Sequence, residues 1–180
     1  MKKIPNILTA IRILLIPLFI FLYPRSHEAA AAVFLSACIT DIADGYIARK
    51  YNAVTLFGML FDPLADKLLQ VSAVICMYME GILRAPVMVL VIIKEAVMMT
   101  GAVILLFKKT VVPSNIVGKG ATVLVSAGII LCVAVGQRFE TLINITGVVI
   151  VIAAAVSLSV YMALFVKHIF NVGNKKIENK

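Results

Sequence analysis

The sequence has little of what a water-soluble enzyme uses to build a site. Of its 180 residues only 14% are charged, tryptophan is absent, histidine occurs twice and cysteine three times. The scarcity of charge, with 62% hydrophobic residues and a mean hydropathy of +1.07, excludes an ordinary soluble domain. Cys38, Cys76 and Cys132 each stand alone in an apolar run without metal-ligand spacing, so they are expected to be buried thiols. His27 and His168 have no ligand partner at useful spacing, and Met77, Met79, Met88, Met98 and Met99 are expected to fill packing gaps. Internal repeats, low-complexity segments and a second domain are missing as well.

What the chain does have is a series of apolar runs near twenty residues long. These predict an all-α integral membrane protein with six transmembrane helices. The spans fall at about 7–23, 29–48, 55–79, 86–107, 118–135 and 142–166, with Pro17 kinking the first. Residues 1–170 are expected to form one membrane domain and 171–180 a polar, basic tail. No small-residue cleavage pattern follows the first run, so it reads as a retained span.

Lys2, Lys3, Arg49, Lys50, Lys108, Lys109, Lys119, Lys167, Lys175, Lys176 and Lys180 fall on one side of this arrangement; Arg25, Arg84 and Arg138 fall on the other. The positive-inside rule then puts both termini in the cytoplasm of a multi-pass cell-membrane protein. A net charge of +8 is explained by this basic rim facing anionic headgroups, with no need for nucleic acid. Tyr23, Tyr46, Tyr51 and Tyr161 lie near span ends, as interfacial anchors do. The Ala-rich stretches 29–32 and 153–155 suggest close helix contacts, one of them a candidate dimer face.

Against this background the acidic residues stand out. Asp41 and Asp44 are three apart, Asp62 and Asp66 four apart, so each pair shares one helix face. A charge inside a span costs about 3 kcal/mol on insertion scales and usually marks function. Structural salt bridges would account for a single Asp–Lys pair but are a weaker explanation for four aspartates in two helix-spaced pairs. Facing each other, the pairs would form an oxygen-rich cluster suited to two hard divalent ions, Mg²⁺ or Mn²⁺, at the cytoplasmic end of the bundle. Arg12, Lys67, Lys94 and Glu95 are the other charges within spans. Gly45, Ala48 and Gly58 beside the carboxylates allow close approach of a bulky group, although small residues also serve helix packing. Arg49 can grip a phosphate with two hydrogen bonds, or serve only as a loop charge that sets topology.

The run Asp41-x₂-Asp44-Gly45-x₂-Ala48-Arg49-x₈-Gly58-x₃-Asp62-x₃-Asp66 resembles the signature of the CDP-alcohol phosphatidyltransferase family, matching eight positions at fixed spacing. The lead Pro5-Asn6-x-Leu8-Thr9-x₂-Arg12 resembles the family's entry to its first span. The resemblance implies that a CDP-linked lipid loses CMP as its phosphatidyl group passes to an alcohol. It implies that Asp41, Asp44, Asp62 and Asp66 hold two divalent ions, and that Asp66 is the general base. It places Asn6, Thr9, Gly45, Ala48, Arg49, Thr55 and Gly58 around the CDP-lipid donor, and it suggests a homodimer.

Asp62-Pro-Leu-Ala-Asp66-Lys67 resembles the form seen in members that use glycerol phosphate or phosphatidylglycerol. Lys94-Glu95 resembles an Arg-Glu pair in the fourth span of glycerol-phosphate-using members, with Lys for Arg. Gly118-Lys119-x-Ala121-Thr122 resembles their Gly-Lys-x-Lys-Thr run, with Ala121 for the second Lys. The expected substrates are therefore CDP-diacylglycerol and sn-glycerol 3-phosphate, with Lys67, Lys94 and Lys119 on the acceptor phosphate. A phosphatidylglycerol acceptor, giving cardiolipin, is the alternative within the family, with inositol phosphate or serine behind it. Two readings from other classes are a cation transporter and a non-catalytic scaffold. The transporter needs a polar path to the far face, where the span halves are almost wholly apolar.

Overall fold

The computed structural model describes the backbone of residues 4–50, 56–107 and 116–178, and the side chains of 7–43, 64–104, 116–118 and 120–166. Six helices run in order: α1 (Ile4–Leu22), α2 (His27–Lys50), α3 (Leu56–Met79), α4 (Ala85–Phe107), α5 (Ile116–Val135) and α6 (Glu140–Glu178). Among the described residues no strand occurs. Among the described residues three stretches, Ala85–Ile104, Ile116–Val135 and Glu140–Val166, are long and apolar enough to cross a bilayer, and Ile7–Leu22 is a shorter apolar helix. α2 and α3 carry the aspartates, which lower their apolarity. α1 runs unbroken through Pro17, and α6 continues to Glu178 through most of the basic tail, where no proline stops it.

The turns at one end are specified locally. Ser26 Oγ accepts a hydrogen bond from the Ala29 amide at 3.2 Å, capping the start of α2. Gly81 (φ 76°) and Gly136 (φ 58°) adopt the left-handed conformation just past α3 and α5, where a side chain would be strained. The Ile82 amide returns to the Met77 carbonyl at 2.9 Å, and the Gly136 amide to the Cys132 carbonyl at 3.0 Å.

Side chains then stitch the three turns together. His27 Nε2 lies 2.8 Å from Glu80 Oε2. Gln137 Nε2 donates to the Glu80 carbonyl at 2.5 Å, and Arg138 pairs with Glu28 at 3.2 Å. His27, which has no partner by spacing, thus finds one 53 residues away. Tyr23 is not an interfacial anchor: it is 2% exposed, packed between Phe19 (tilted, centroids 5.6 Å) and His27 (edge-on, 5.2 Å). Because these turns follow α1, α3 and α5, the helices alternate in direction, and the aspartate-bearing ends of α2 and α3 lie away from the stitched end.

The core runs between the helices through Phe19, Phe34, Leu69, Met77, Val91, Ile129 and Ile150. Ala30, Ala31, Ala153 and Ala154 are buried within it, so the Ala-rich stretches are used for contacts inside the bundle. Cys132 is buried, while Cys38 and Cys76 are half-buried. Outward-facing Leu14, Phe21, Ile42, Met79 and Val123 stay uncovered, as lipid-facing side chains do.

Two glycines let helices approach closely. A Cβ on Gly101 of α4 would lie 2.1 Å from the Tyr161 hydroxyl of α6, and one on Gly128 of α5 would lie 2.8 Å from Ile150 Cγ1. Tyr161, too, is therefore packed inside instead of standing at the interface. Gly101→Val and Gly128→Val are each expected to lose about 1–3 kcal/mol through overpacking. Thermal unfolding in detergent checks this; unchanged midpoints would show that the helices can move apart freely.

Candidate active site

The end opposite the stitched turns gathers the charged residues of the spans. α1 contributes Thr9 and Arg12, three residues apart and both buried. Arg12 Nη1 lies 2.9 Å from Asp41 Oδ1 of α2, the guanidinium 1% and the carboxylate 42% exposed. Burying an arginine is tolerable only when it is paired, so this contact fixes α1 against α2 at the level of the first aspartate. Cys38, one turn before Asp41, lies within electrostatic reach of the Asp66 and Asp41 carboxylates and of Arg12.

From Asp66 the charges continue inward. Lys67 Nζ lies 3.5 Å from Asp66 Oδ2 and 2.8 Å from Glu95 Oε2 of α4. Lys94 donates to Glu95 Oε1 in a short contact. Asp66 is 27% exposed, whereas Lys94 and Glu95 are 0% and 2% exposed. The series Asp66–Lys67–Glu95–Lys94 therefore alternates in sign from a partly open carboxylate to a sealed ammonium. Beyond it the interior remains polar. Gln70 Nε2 donates to Ser126 Oγ at 2.9 Å, and Ser157 lies 3.4 Å from Thr122 and donates to Met98 Sδ at 3.8 Å.

Of the residues singled out by sequence, Thr9, Asp41, Asp66, Lys67 and Lys94 are described with their side chains. The structure pairs Asp41 with Arg12, sets Lys67 beside Asp66 and joins Lys67 to Lys94 through Glu95. The side chains of Asn6, Asp44, Gly45, Ala48, Arg49, Gly58, Asp62 and Lys119 lie outside the described residues, and so does Thr55 altogether. Among the described residues no three His, Cys, Asp or Glu side chains form a metal-binding group. The two described aspartates do fit a hard divalent ion chemically: both are carboxylate oxygen donors and both reach the surface. Sequence reasoning undervalued Glu95. The available signal was the adjacent Lys94-Glu95 pair deep in an apolar run.

This arrangement defines a multi-pass helical membrane protein with clustered carboxylates and cations at one end of the bundle. The family model described as CDP-alcohol phosphatidyltransferase matches residues 2–166, and the chain belongs to that family. Among curated proteins it is similar to a CDP-diacylglycerol–glycerol-3-phosphate 3-phosphatidyltransferase of Bacillus subtilis, 40% identical over 136 residues, covering 66% of this chain and 70% of the relative. It is also similar to a probable phosphatidylglycerophosphate synthase of Mycobacterium tuberculosis, 36% identical over 170 residues, covering 88% and 77%. A Rickettsia typhi protein with the same name as the Bacillus relative is 55% identical over 73 residues, 38% of this chain. In that match the chain spans only 41% of the relative's length.

Proposed function

We propose that the protein transfers the phosphatidyl group of CDP-diacylglycerol to sn-glycerol 3-phosphate, releasing CMP and forming phosphatidylglycerophosphate. The observation that carries this reading is a partly exposed carboxylate, Asp66, next to a cation, Lys67, that is itself anchored to a buried ion pair. A phosphorylated alcohol needs both features: a base for its hydroxyl and a positive group for its phosphate. The names of the Bacillus and Mycobacterium relatives support the same acceptor.

In this reading Asp41, Asp44, Asp62 and Asp66 hold two Mg²⁺ or Mn²⁺ ions, and Asn6, Thr9, Gly45, Ala48, Arg49, Thr55 and Gly58 surround the donor. Bound divalent ions supply charge neutralisation to the diphosphate. Asp66 takes the proton of the acceptor hydroxyl as its oxygen attacks the lipid-side phosphorus. The bond from that phosphorus to the CMP oxygen breaks, and CMP leaves with the electron pair. Arg12 holds the Asp41 carboxylate in place. Lys67 and Lys119 face the acceptor phosphate, while Lys94 acts from behind through Glu95. The spans number six, both termini are cytoplasmic, the host is the cell membrane, and the working unit is a homodimer.

The test is an acceptor panel with purified protein and CDP-diacylglycerol. It offers glycerol 3-phosphate, phosphatidylglycerol, serine, inositol and inositol phosphate, and the lipid product is identified by mass. Phosphatidylglycerophosphate is expected, CMP release is expected to stop in EDTA, and Mg²⁺ or Mn²⁺ should restore it. Cardiolipin as the main product would move the assignment to the phosphatidylglycerol acceptor. Metal flux into vesicles without CMP release would replace the enzyme reading.

A further inference from the structure

Two ammonium groups from different helices converge on one sealed carboxylate: Lys67 of α3 and Lys94 of α4 both contact Glu95. We infer that Glu95 is a positioning residue for the acceptor's phosphate: it tethers Lys67 beside Asp66, and Lys94 balances its charge so that Lys67 remains available to an anion. The inference rests on the glycerol 3-phosphate reading above.

The geometry favours this division of labour. Lys94 is fully buried and engaged by Glu95, so in this arrangement it cannot itself meet a substrate. Lys67 is 14% exposed and touches both Glu95 and Asp66. Both contacts are ion pairs, and the side chain remains 14% exposed beside the partly open Asp66, where an anion can approach it. A lysine on a flexible stem samples many positions unless something holds it, and Glu95 at 2.8 Å is the holder. Charge counting gives Lys94 its place. With Glu95 alone, Lys67 would be fully matched by one carboxylate before Asp66 is considered. With Lys94 added, Asp66, Lys67, Glu95 and Lys94 sum to zero, and an incoming phosphate is not repelled by excess negative charge. The ligand class that fits is a small phosphorylated alcohol whose hydroxyl meets Asp66 while its phosphate meets the neighbouring Lys67.

The experiment measures KM for glycerol 3-phosphate and for CDP-diacylglycerol in the wild type, Glu95→Gln, Lys94→Met and the double variant carrying both. Removing the tether is expected to raise the glycerol 3-phosphate KM about tenfold or more, the scale of one charge-assisted contact, and to move the donor KM less than about twofold. The double variant leaves no uncompensated buried charge, so it keeps the test open if Glu95→Gln alone does not fold. Its KM is expected to stay high because Lys67 is still untethered. A second readout needs no turnover: glycerol 3-phosphate should raise the unfolding temperature of the detergent-solubilised wild type and fail to do so for the double variant. A double variant with wild-type KM and wild-type stabilisation would overturn the inference and leave Glu95 as a counter-charge to Lys94 only. A wild type that ignores glycerol 3-phosphate would instead remove the acceptor reading itself.

Discussion

Asp66→Asn is expected to lower turnover by about 10²–10⁴-fold, the usual contribution of a positioned general base, while the protein folds and binds CDP-diacylglycerol. Asparagine keeps the shape of the side chain and an oxygen donor but cannot accept the proton of the acceptor hydroxyl. Lys67 would still be held by Glu95 at 2.8 Å, so the local arrangement survives. The carboxylate is partly exposed, and its replacement strands no buried charge. Single-turnover CMP release, paired with donor binding in the absence of acceptor, separates chemistry from binding. Normal CMP release by this variant would remove Asp66 from the base role and turn attention to another carboxylate of the cluster.

A second large effect concerns stability and is asymmetric. Glu95→Leu leaves the Lys94 ammonium, which has no exposed surface, without its carboxylate. Stranding one member of a buried pair typically costs about 3–5 kcal/mol. Lys94→Met removes the opposite partner, yet Glu95 keeps Lys67, and methionine fills similar volume, so the loss should be about 1 kcal/mol. Both are adjacent positions on α4, so helix propensity and span apolarity do not explain a difference of this size. Unfolding of each variant in detergent measures it. Equal losses would mean that Lys67 does not share the carboxylate.

Much of the architecture could be read from the chain because lipid imposes simple rules. Apolar runs of fixed length become helices, and the six helix ends fall within a few residues of the expected spans, except that α6 extends far beyond 166. The first-span charge Arg12 and the motif carboxylates were visible as costly residues in apolar surroundings. Their pairing was not, since Arg12 meets Asp41 from 29 positions away in the chain, and nothing local encodes which helices become neighbours. The same holds for His27 with Glu80. Tyr23 and Tyr161 were misjudged for a related reason: proximity to a span end does not tell whether a side chain turns toward lipid or toward another helix. In both cases the ring turned inward. Glu95 was flagged as unusual, but its link to two lysines depended on α3 packing against α4.

The stitched turns have a mechanical consequence. Three hairpins fastened to one another by Glu80, Gln137, Glu28 and Arg138 make the bundle resemble a clothes-peg, pinned where there is no chemistry. At the aspartate end the ties run within helix pairs, Arg12–Asp41 between α1 and α2 and Lys67–Glu95 between α3 and α4, so any spreading there parts one pair from the other. In the proposed reaction, a diacyl donor whose tails stay in the membrane would reach the aspartates at that end from the side, with the pinned end left intact.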